Sequence, residues 1–287
     1  MVEDVVARVE RHAPRSLLIL GASDTGKTTL AETLLRAWCP HDTLAVVDCD
    51  VGQSTLGPPT TISWGLRRWP CNGWAEIARQ AFVFTGAVSP DGNVETCVAA
   101  AERMCAQARA AAARLLIDTT GLVQGDTGLA LKLKKIERLR PDLILALQRA
   151  DELENLLCLL GQVPVERLPA RPNCRSRTLP QRAAVRDAQL NRYFGQATPQ
   201  TVDGTPERWI GLGPAWPRGD VAWSPEALMN RVVSFRTADG TDAALGVVRA
   251  VDVERRRCQV VTPLADLAAA RTVCVGSACW PEVPCGA

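Results

Sequence analysis

The sequence predicts an α/β fold, a mainly parallel sheet flanked by helices, followed by a small β-rich C-terminal domain. Three observations carry that prediction. A glycine-bearing loop, Gly21-Ala22-Ser23-Asp24-Thr25-Gly26-Lys27-Thr28-Thr29, follows the apolar run Leu17-Leu18-Ile19-Leu20 and precedes an apolar-periodic segment from Leu30 to Trp38. Short apolar runs then alternate with helix-period segments, the pattern of parallel strands joined by helical crossovers. After Pro172 the composition changes, first to a polar stretch crowded with arginine, then from Gly204 onward to glycine, proline and alternating apolar residues.

The loop fits G-x-x-x-x-G-K-[ST] in its required context, strand then helix, which puts the fold in the P-loop NTPase class. Glycine lets successive backbone N–H groups curl around a phosphate without Cβ clashes, and the following helix adds its positive dipole end. Residues Gly21 to Thr29 are therefore expected to hold a nucleoside triphosphate. Lys27 would reach the β- and γ-phosphates and Thr28 would hold Mg²⁺.

The remaining elements follow in order. Valines at 2, 5, 6 and 9 predict a short amphipathic helix ending before Pro14. The first strand covers about Ser16 to Leu20, and the helix after the loop closes near Cys39-Pro40. Leu44-Ala45-Val46-Val47-Asp48 reads as a strand buried on both faces, tipped by an acid at the edge where ligands bind. Gly57 to Gly73, with Trp64, Trp69 and Trp74 nearby, reads as a loop or hairpin excursion. Ala81 to Thr85 resumes the strand pattern, Asn93 caps a helix to about Ala113, and Leu115-Leu116-Ile117-Asp118 is a second acid-tipped strand. A helix from Gly125 to Arg138, a strand at Leu143 to Leu147, a helix near Asp151 to Leu160 and a strand near Val163 to Leu168 complete the alternation. The domains expected are residues 1–203, including an arginine-rich lid at about 171–194, and residues 204–287.

Composition excludes several function classes. The chain of 287 residues is 47% hydrophobic and 22% charged, with a net charge of +2, so no global attraction to nucleic acid is implied. Only four of its 33 basic residues are lysines: Lys27, Lys132, Lys134 and Lys135. The 11 cysteines are odd in number, no CxxC pair occurs and only His12 and His41 are present, so free thiols and no structural zinc are expected. No apolar run reaches the ~18 residues of a membrane span. A cytoplasmic protein is expected.

The topology brings Lys27, Thr28, Asp48, Asp50, Gln53, Asp118 and Thr119 to one sheet edge. An acid at such a strand end serves either as a Mg²⁺ ligand or as the base that deprotonates an attacking hydroxyl. Two such strands leave that choice open, and Thr28, Asp48 and Asp50 are the candidates for the metal. Asp50 lies beyond its strand in a Gly-Gln turn, where an acid has no packing duty. Arg177 and Arg182, in the segment after Pro172, suit a lid that brings positive charge to a transferring phosphoryl group.

These elements resemble a known family. Asp24 inside the phosphate loop, Asp48-x-Asp50-x-Gly52-Gln53, Thr119-x-Gly121, and Arg177-x-x-x-x-Arg182 leading to Tyr193-Phe194 are similar to the polynucleotide 5′-hydroxyl kinases related to the RNA kinase of the pre-mRNA cleavage and tRNA-splicing machinery, the Clp-one family. The resemblance covers about Ser16 to Phe194. It implies ATP as donor, with GTP possible, and Mg²⁺. The acceptor implied is the 5′-hydroxyl end of single-stranded RNA or DNA, with Asp50 as general base. By the same resemblance Gln53 supports the metal and water shell, Arg177 and Arg182 are lid arginines, and Thr119, Thr120, Gly121 and Leu122 form the clasp on the acceptor. Family members often place tryptophan after that glycine, to stack on a base; Leu122 stands there in this chain, and Trp64, Trp69 or Trp74 are the substitutes available. Eukaryotic relatives also carry a β domain before the phosphate loop, so a free-standing microbial enzyme with no obligate protein partner is expected.

A rival reading is a nucleotide-driven switch of the GTPase or metallochaperone type. Asp118-Thr119-Thr120-Gly121 fits the D-x-x-G element that senses a γ-phosphate, and Gln148-Arg149-Ala150-Asp151 echoes the guanine reader N-K-x-D. Two of that reader's positions are replaced, and a metallochaperone would need a Cys or His cluster.

Overall fold

The computed structural model describes residues 2–170, 176–212 and 224–281. Arg171, Pro172 and Arg175, part of the expected lid, lie outside the described residues. Two sheets organise the chain. The first has seven strands: β1 (Ser16–Gly21), β2 (Leu44–Cys49), β3 (Thr61–Leu66), β4 (Ala78–Phe84), β5 (Arg114–Thr119), β6 (Leu143–Gln148) and β7 (Val165–Pro169), in the order β4-β3-β2-β5-β1-β6-β7. β2, β5, β1, β6 and β7 are parallel. The Gly57–Gly73 excursion resolves into β3, which pairs antiparallel with β2 and with β4, so the strand read at Ala81 to Thr85 is also antiparallel.

Every residue of β1 and β2 is buried, as apolar runs covered on both faces require. Helices α1 (Val2–His12) and α2 (Lys27–Ala37) cover one face, where Val9, Leu30, Leu34, Leu35 and Trp38 meet Leu17, Ile19 and Val46. Helices α3 (Val94–Ala111) and α4 (Gly125–Leu139) cover the other, with Val98, Met104, Leu131 and Ile136 on Leu18, Val47 and Ile117. Asn93 does occupy the position before α3, but its side-chain amide donates to Thr85 O (2.7 Å) instead of capping the helix. A short helix, α5 (Glu154–Leu157), follows β6, and α6 (Leu179–Phe194) follows β7.

The second sheet holds β8 (Thr198–Asp203), β9 (Trp209–Gly211), β10 (Arg231–Thr237), β11 (Asp242–Asp252), β12 (Arg257–Thr262) and β13 (Ala270–Cys279), with α7 (Pro225–Leu228) before β10; its order is β8-β12-β11-β10-β13-β9. It starts earlier than the expected boundary at residue 204, because β8 pairs with β12 along its whole length. Pro199, Gln200 and Thr201 give that edge strand no apolar alternation to announce it. The two sheets share a core in which Phe82 and Phe84 of β4 meet Leu190 and Phe194 of α6 and Val232, Leu245 and Trp280. At its centre the buried Asp242 carboxylate accepts from Phe84 N–H (2.8 Å), Ser234 Oγ (2.7 Å) and the Arg236 guanidinium (2.9 and 3.0 Å).

Candidate active site

Between β1 and α2 the phosphate loop turns through two left-handed residues, Asp24 (φ 58°) and Gly26 (φ 96°). Gly26 is the N-cap of α2 and no side chain caps the helix. The N–H groups of the first turn therefore have no intrahelical acceptor and, with the dipole, present a positive cradle. Thr25 Oγ and Lys27 Nζ both donate to Ala22 O (2.9 and 2.7 Å), which draws the lysine over the loop. Burial is the main cause lowering the Lys27 pKa; Asp118, Asp50 and Asp24 oppose it and Arg182 adds to it. Thr28 and Thr29 are exposed, with their side chains outside the core.

Strand register sets the acids. Asp48 lies beside Asp118, and Cys49 beside Thr119, at the ends of β2 and β5. Asp48 Oδ2 accepts from Ser54 Oγ (2.9 Å) and from the N–H groups of Thr55 (2.5 Å) and Leu56 (2.9 Å), while Oδ1 accepts from Asp50 N–H (3.0 Å). Four hydrogen bonds therefore engage Asp48 in holding the loop of residues 50–56. Burial raises its pKa against those N–H donors. Asp50 differs. Its Oδ1 accepts from Gly52 and Gln53 N–H (both 3.0 Å), and Oδ2 has no hydrogen-bond partner among the described residues. Asp118 is buried with Oδ1 on Thr119 N–H (2.9 Å), and desolvation with the Asp48 and Asp50 charges pushes it up to about 7, against Lys27.

Over this edge lies α6. Thr178 and Gln181 form a capping box at its start, and Pro180 sits in the first turn, where a missing N–H costs nothing. Arg182 donates to Asp24 Oδ2 (2.7 Å) and Ser23 Oγ (3.2 Å), and the Arg177 N–H reaches Asp24 Oδ2 (3.2 Å). Asp24 thus ties the start of α6 to the phosphate loop. The Arg177 side chain is exposed and precedes the helix, so only Arg182 of the expected pair has its guanidinium on the loop. Gln53 Nε2 donates to Gly52 O (2.8 Å) and Arg182 O (3.0 Å), tying the Asp50 loop to α6; its Oε1 is buried without a partner among the described residues. The far end of α6 is anchored by Leu190 and Phe194 and by Leu245 N–H on the Tyr193 hydroxyl (2.9 Å).

A sequence model of the family described as the mRNA cleavage and polyadenylation factor CLP1 P-loop matches residues 21–196, from the first loop glycine to just past α6. The chain belongs to the CLP1 P-loop family. Its relatives include the polyribonucleotide 5′-hydroxyl-kinase of Pyrococcus furiosus, 27% identical over 92% of this chain and 87% of the relative. The polyribonucleotide 5′-hydroxyl-kinase of Methanocaldococcus jannaschii is 33% identical over 63% of this chain and 50% of the relative. Among solved structures, Clp1p in complex with Pcf11p (454–563) superposes with a TM-score of 0.73 at 15% identity, covering 97% of this chain and 78% of that one. The phosphate loop of a CLP1 P-loop family member is a nucleotide-binding loop, and the mainly parallel sheet is its expected fold.

In this CLP1 family member residues 119–122 are held close to the core and to the phosphate loop. Thr119 is buried, its hydroxyl donates to Ile19 O (2.7 Å) and accepts from Lys132 Nζ (2.9 Å), so that side chain is not free for an acceptor. Thr120 is buried and Leu122 packs on the core, which removes Leu122 as an exposed platform. Gly121 is the residue that fits: a Cβ there would lie 2.5–2.6 Å from Ser23 atoms of the phosphate loop. Trp64 and Trp74 are buried, with their indole N–H groups on Gln107 Oε1 and Thr28 O. Trp69 is 48% exposed but follows β3, whose last residues pair with the start of β2, at the end of the sheet opposite the loop. None of the three can stack on an acceptor base.

Three residues of the site were not singled out for it. Arg149 donates to Asp24 O (2.5 Å), and Lys132 and Lys135 project from α4 beneath the acid-tipped strands. The signal was present: both lysines fall at the helical spacing of the buried Leu131, Ile136 and Leu139. Beside the clasp, a cavity of about 430 Å³ is lined by Gln124, Asp126, Asp151, Glu152 and Asn155. Its acids repel phosphate, so it is not the triphosphate site. No group of three or more His, Cys, Asp or Glu side chains placed to hold a metal occurs among the described residues.

Proposed function

We propose that this chain transfers the γ-phosphoryl group of ATP to the 5′-hydroxyl of an RNA strand. The observation that carries the proposal is Asp50: a carboxylate with one oxygen fixed by two backbone N–H groups and the other open, set beyond β2 next to a phosphate loop. In the reaction Asp50 takes the proton of the 5′-hydroxyl as its oxygen attacks the γ-phosphorus; the bond to the bridging oxygen breaks and ADP leaves. The first turn of α2 and Lys27 hold the β- and γ-phosphates, and Arg182 brings a guanidinium to the same loop. The Thr28 hydroxyl is a hard donor that suits Mg²⁺, a cation held mostly by phosphates and water and not by a protein cage, which leaves the open Asp50 oxygen to the proton. When bound, Mg²⁺ neutralises charge on the β- and γ-phosphates.

The names of the relatives support RNA over DNA as acceptor. Against the switch reading, Gln148 Nε2 is on Glu154 Oε1 (2.8 Å) and the Arg149 guanidinium on the phosphate loop, so the residues that echo a guanine reader are engaged elsewhere. Donor loop and base come from one chain, which supports action without an obligate protein partner. No helix among the described residues is long and apolar enough to cross a membrane; ATP and RNA as substrates support a cytoplasmic enzyme as part of this reading. The test is direct. Purified protein with Mg²⁺, labelled ATP and a 5′-hydroxyl RNA oligonucleotide moves label onto the RNA; Mg²⁺-dependent GTP hydrolysis without label transfer overturns the proposal.

A further inference from the structure

Two of the four lysines in the chain are 1% exposed, an unusual place for an ammonium group. Lys132 and Lys135 stand one turn apart on α4, on the face that packs against the sheet. Lys132 Nζ donates to Thr119 Oγ and Thr120 O. The Thr119 hydroxyl spends its own proton on Ile19 O, so a donor chain runs from α4 through β5 to β1, two residues before the phosphate loop. Lys135 Nζ donates to Cys49 O (3.5 Å), the last residue of β2 before Asp50. Each lysine therefore grips the end of one acid-tipped strand from below.

What those ends carry is the acceptor half of the site. Gly121 rests on Ser23 of the donor loop and follows the turn that Lys132 holds; Asp50 follows the carbonyl that Lys135 holds. Burial, with the neighbouring Lys135 and Lys27, holds the Lys132 pKa well below its usual value, and Asp50 opposes them. A buried hydrophobe of the same length would cost less desolvation than an ammonium. Stability alone therefore gives no reason for lysine at these two positions, whereas a donor tether to the strand ends, two hydrogen bonds from Lys132 and one from Lys135, does.

We propose that Lys132 and Lys135 are positioning residues of the acceptor site: they pin the ends of β5 and β2 from inside the core, and so hold Gly121 and Asp50 in register with the phosphate loop. This rests on the kinase reading for its catalytic consequence, though not for its structural one. The experiment compares wild type with Lys132→Met and Lys135→Met, which keep length and remove the donors. Hydrogen exchange is expected to rise in segments 49–53 and 119–122 while the rest of the sheet and the thermal midpoint stay as in wild type. Label transfer to RNA is expected to fall in kcat by about 10²-fold, the cost of displacing a reacting group by ~1 Å, with ATP affinity unchanged. Unchanged exchange in those two segments overturns the inference, whatever the acceptor proves to be. So does a uniform loss of stability, ATP binding and transfer together, which marks the lysines as packing only. A wild-type protein that moves no label to RNA fails the proposed function, and the exchange comparison still decides the tether.

Discussion

Replacing Asp24 by asparagine tests the latch between the start of α6 and the phosphate loop. Asp24 Oδ2 accepts two hydrogen bonds, from the Arg182 guanidinium at 2.7 Å and the Arg177 N–H at 3.2 Å, and the ion pair is partly shielded, with side chains 25% and 17% exposed. Asparagine keeps the shape and an accepting oxygen but removes the charge. A hydrogen bond to a charged group contributes about 1.5–3 kcal/mol net, and the partial exposure of Arg182 favours the lower end. A loss of about 1.4 kcal/mol is tenfold in an equilibrium, so the docked start of α6 should open roughly tenfold more often. Hydrogen exchange read along the helix checks this. Amides of residues 179–186 should exchange about tenfold faster, while those near Leu190 and Phe194, buried between the two sheets, should not change. Equal acceleration along all of α6, or none, refutes the latch with its pivot at the far end.

Other outcomes follow from the same geometry. Lys27→Ala should lose both nucleotide binding, read by titration calorimetry, and label transfer, because the residue sits over the loop it completes. Asp242→Ala strands the Arg236 guanidinium and the Phe84 N–H inside the shared core; breaking a buried pair costs about 3–5 kcal/mol, or a fall of roughly 10 °C in thermal midpoint. Asp118 is raised from 3.8 to about 7, so folding favours its neutral form: that stability is present below about pH 4 and is lost as pH rises through 7. Metal-free and nucleotide-free Asp118→Asn should therefore show a flatter stability curve between pH 4 and 7 and exceed wild type at pH 8, measured by denaturant titration.

The parts of this molecule legible in its sequence are those written in local pattern. Leu17 to Leu20, Leu44 to Val47 and Leu115 to Ile117 are apolar because the strands are covered on both faces, and their acid tips fall at the ligand edge by the direction of a parallel sheet. Asp24, Asp50 and Arg182 were visible as a constellation, though that Asp24 binds Arg182 is a contact between residues far apart in the chain. What stayed hidden depends on third partners. Asp48 read as the acid tip of its strand, and that one of its oxygens accepts from Ser54, Thr55 and Leu56 could not be read from it. Thr119 looked like part of a clasp until Ile19 and Lys132 claimed its hydroxyl. Trp69 looked available for stacking until the antiparallel turn of β3 carried it to the wrong end of the sheet.

The central claim is that a donor loop and a separate base meet at one sheet edge, and Asp50→Asn tests it most directly. The substitution preserves the acceptor oxygen that takes the Gly52 and Gln53 N–H groups and leaves Lys27 and the loop untouched. Measured side by side on one protein preparation, label transfer from ATP to a 5′-hydroxyl RNA should be abolished while the ATP dissociation constant stays close to wild type. Transfer at the wild-type rate, or a collapse of ATP affinity along with it, would contradict the assignment of Asp50 as the base.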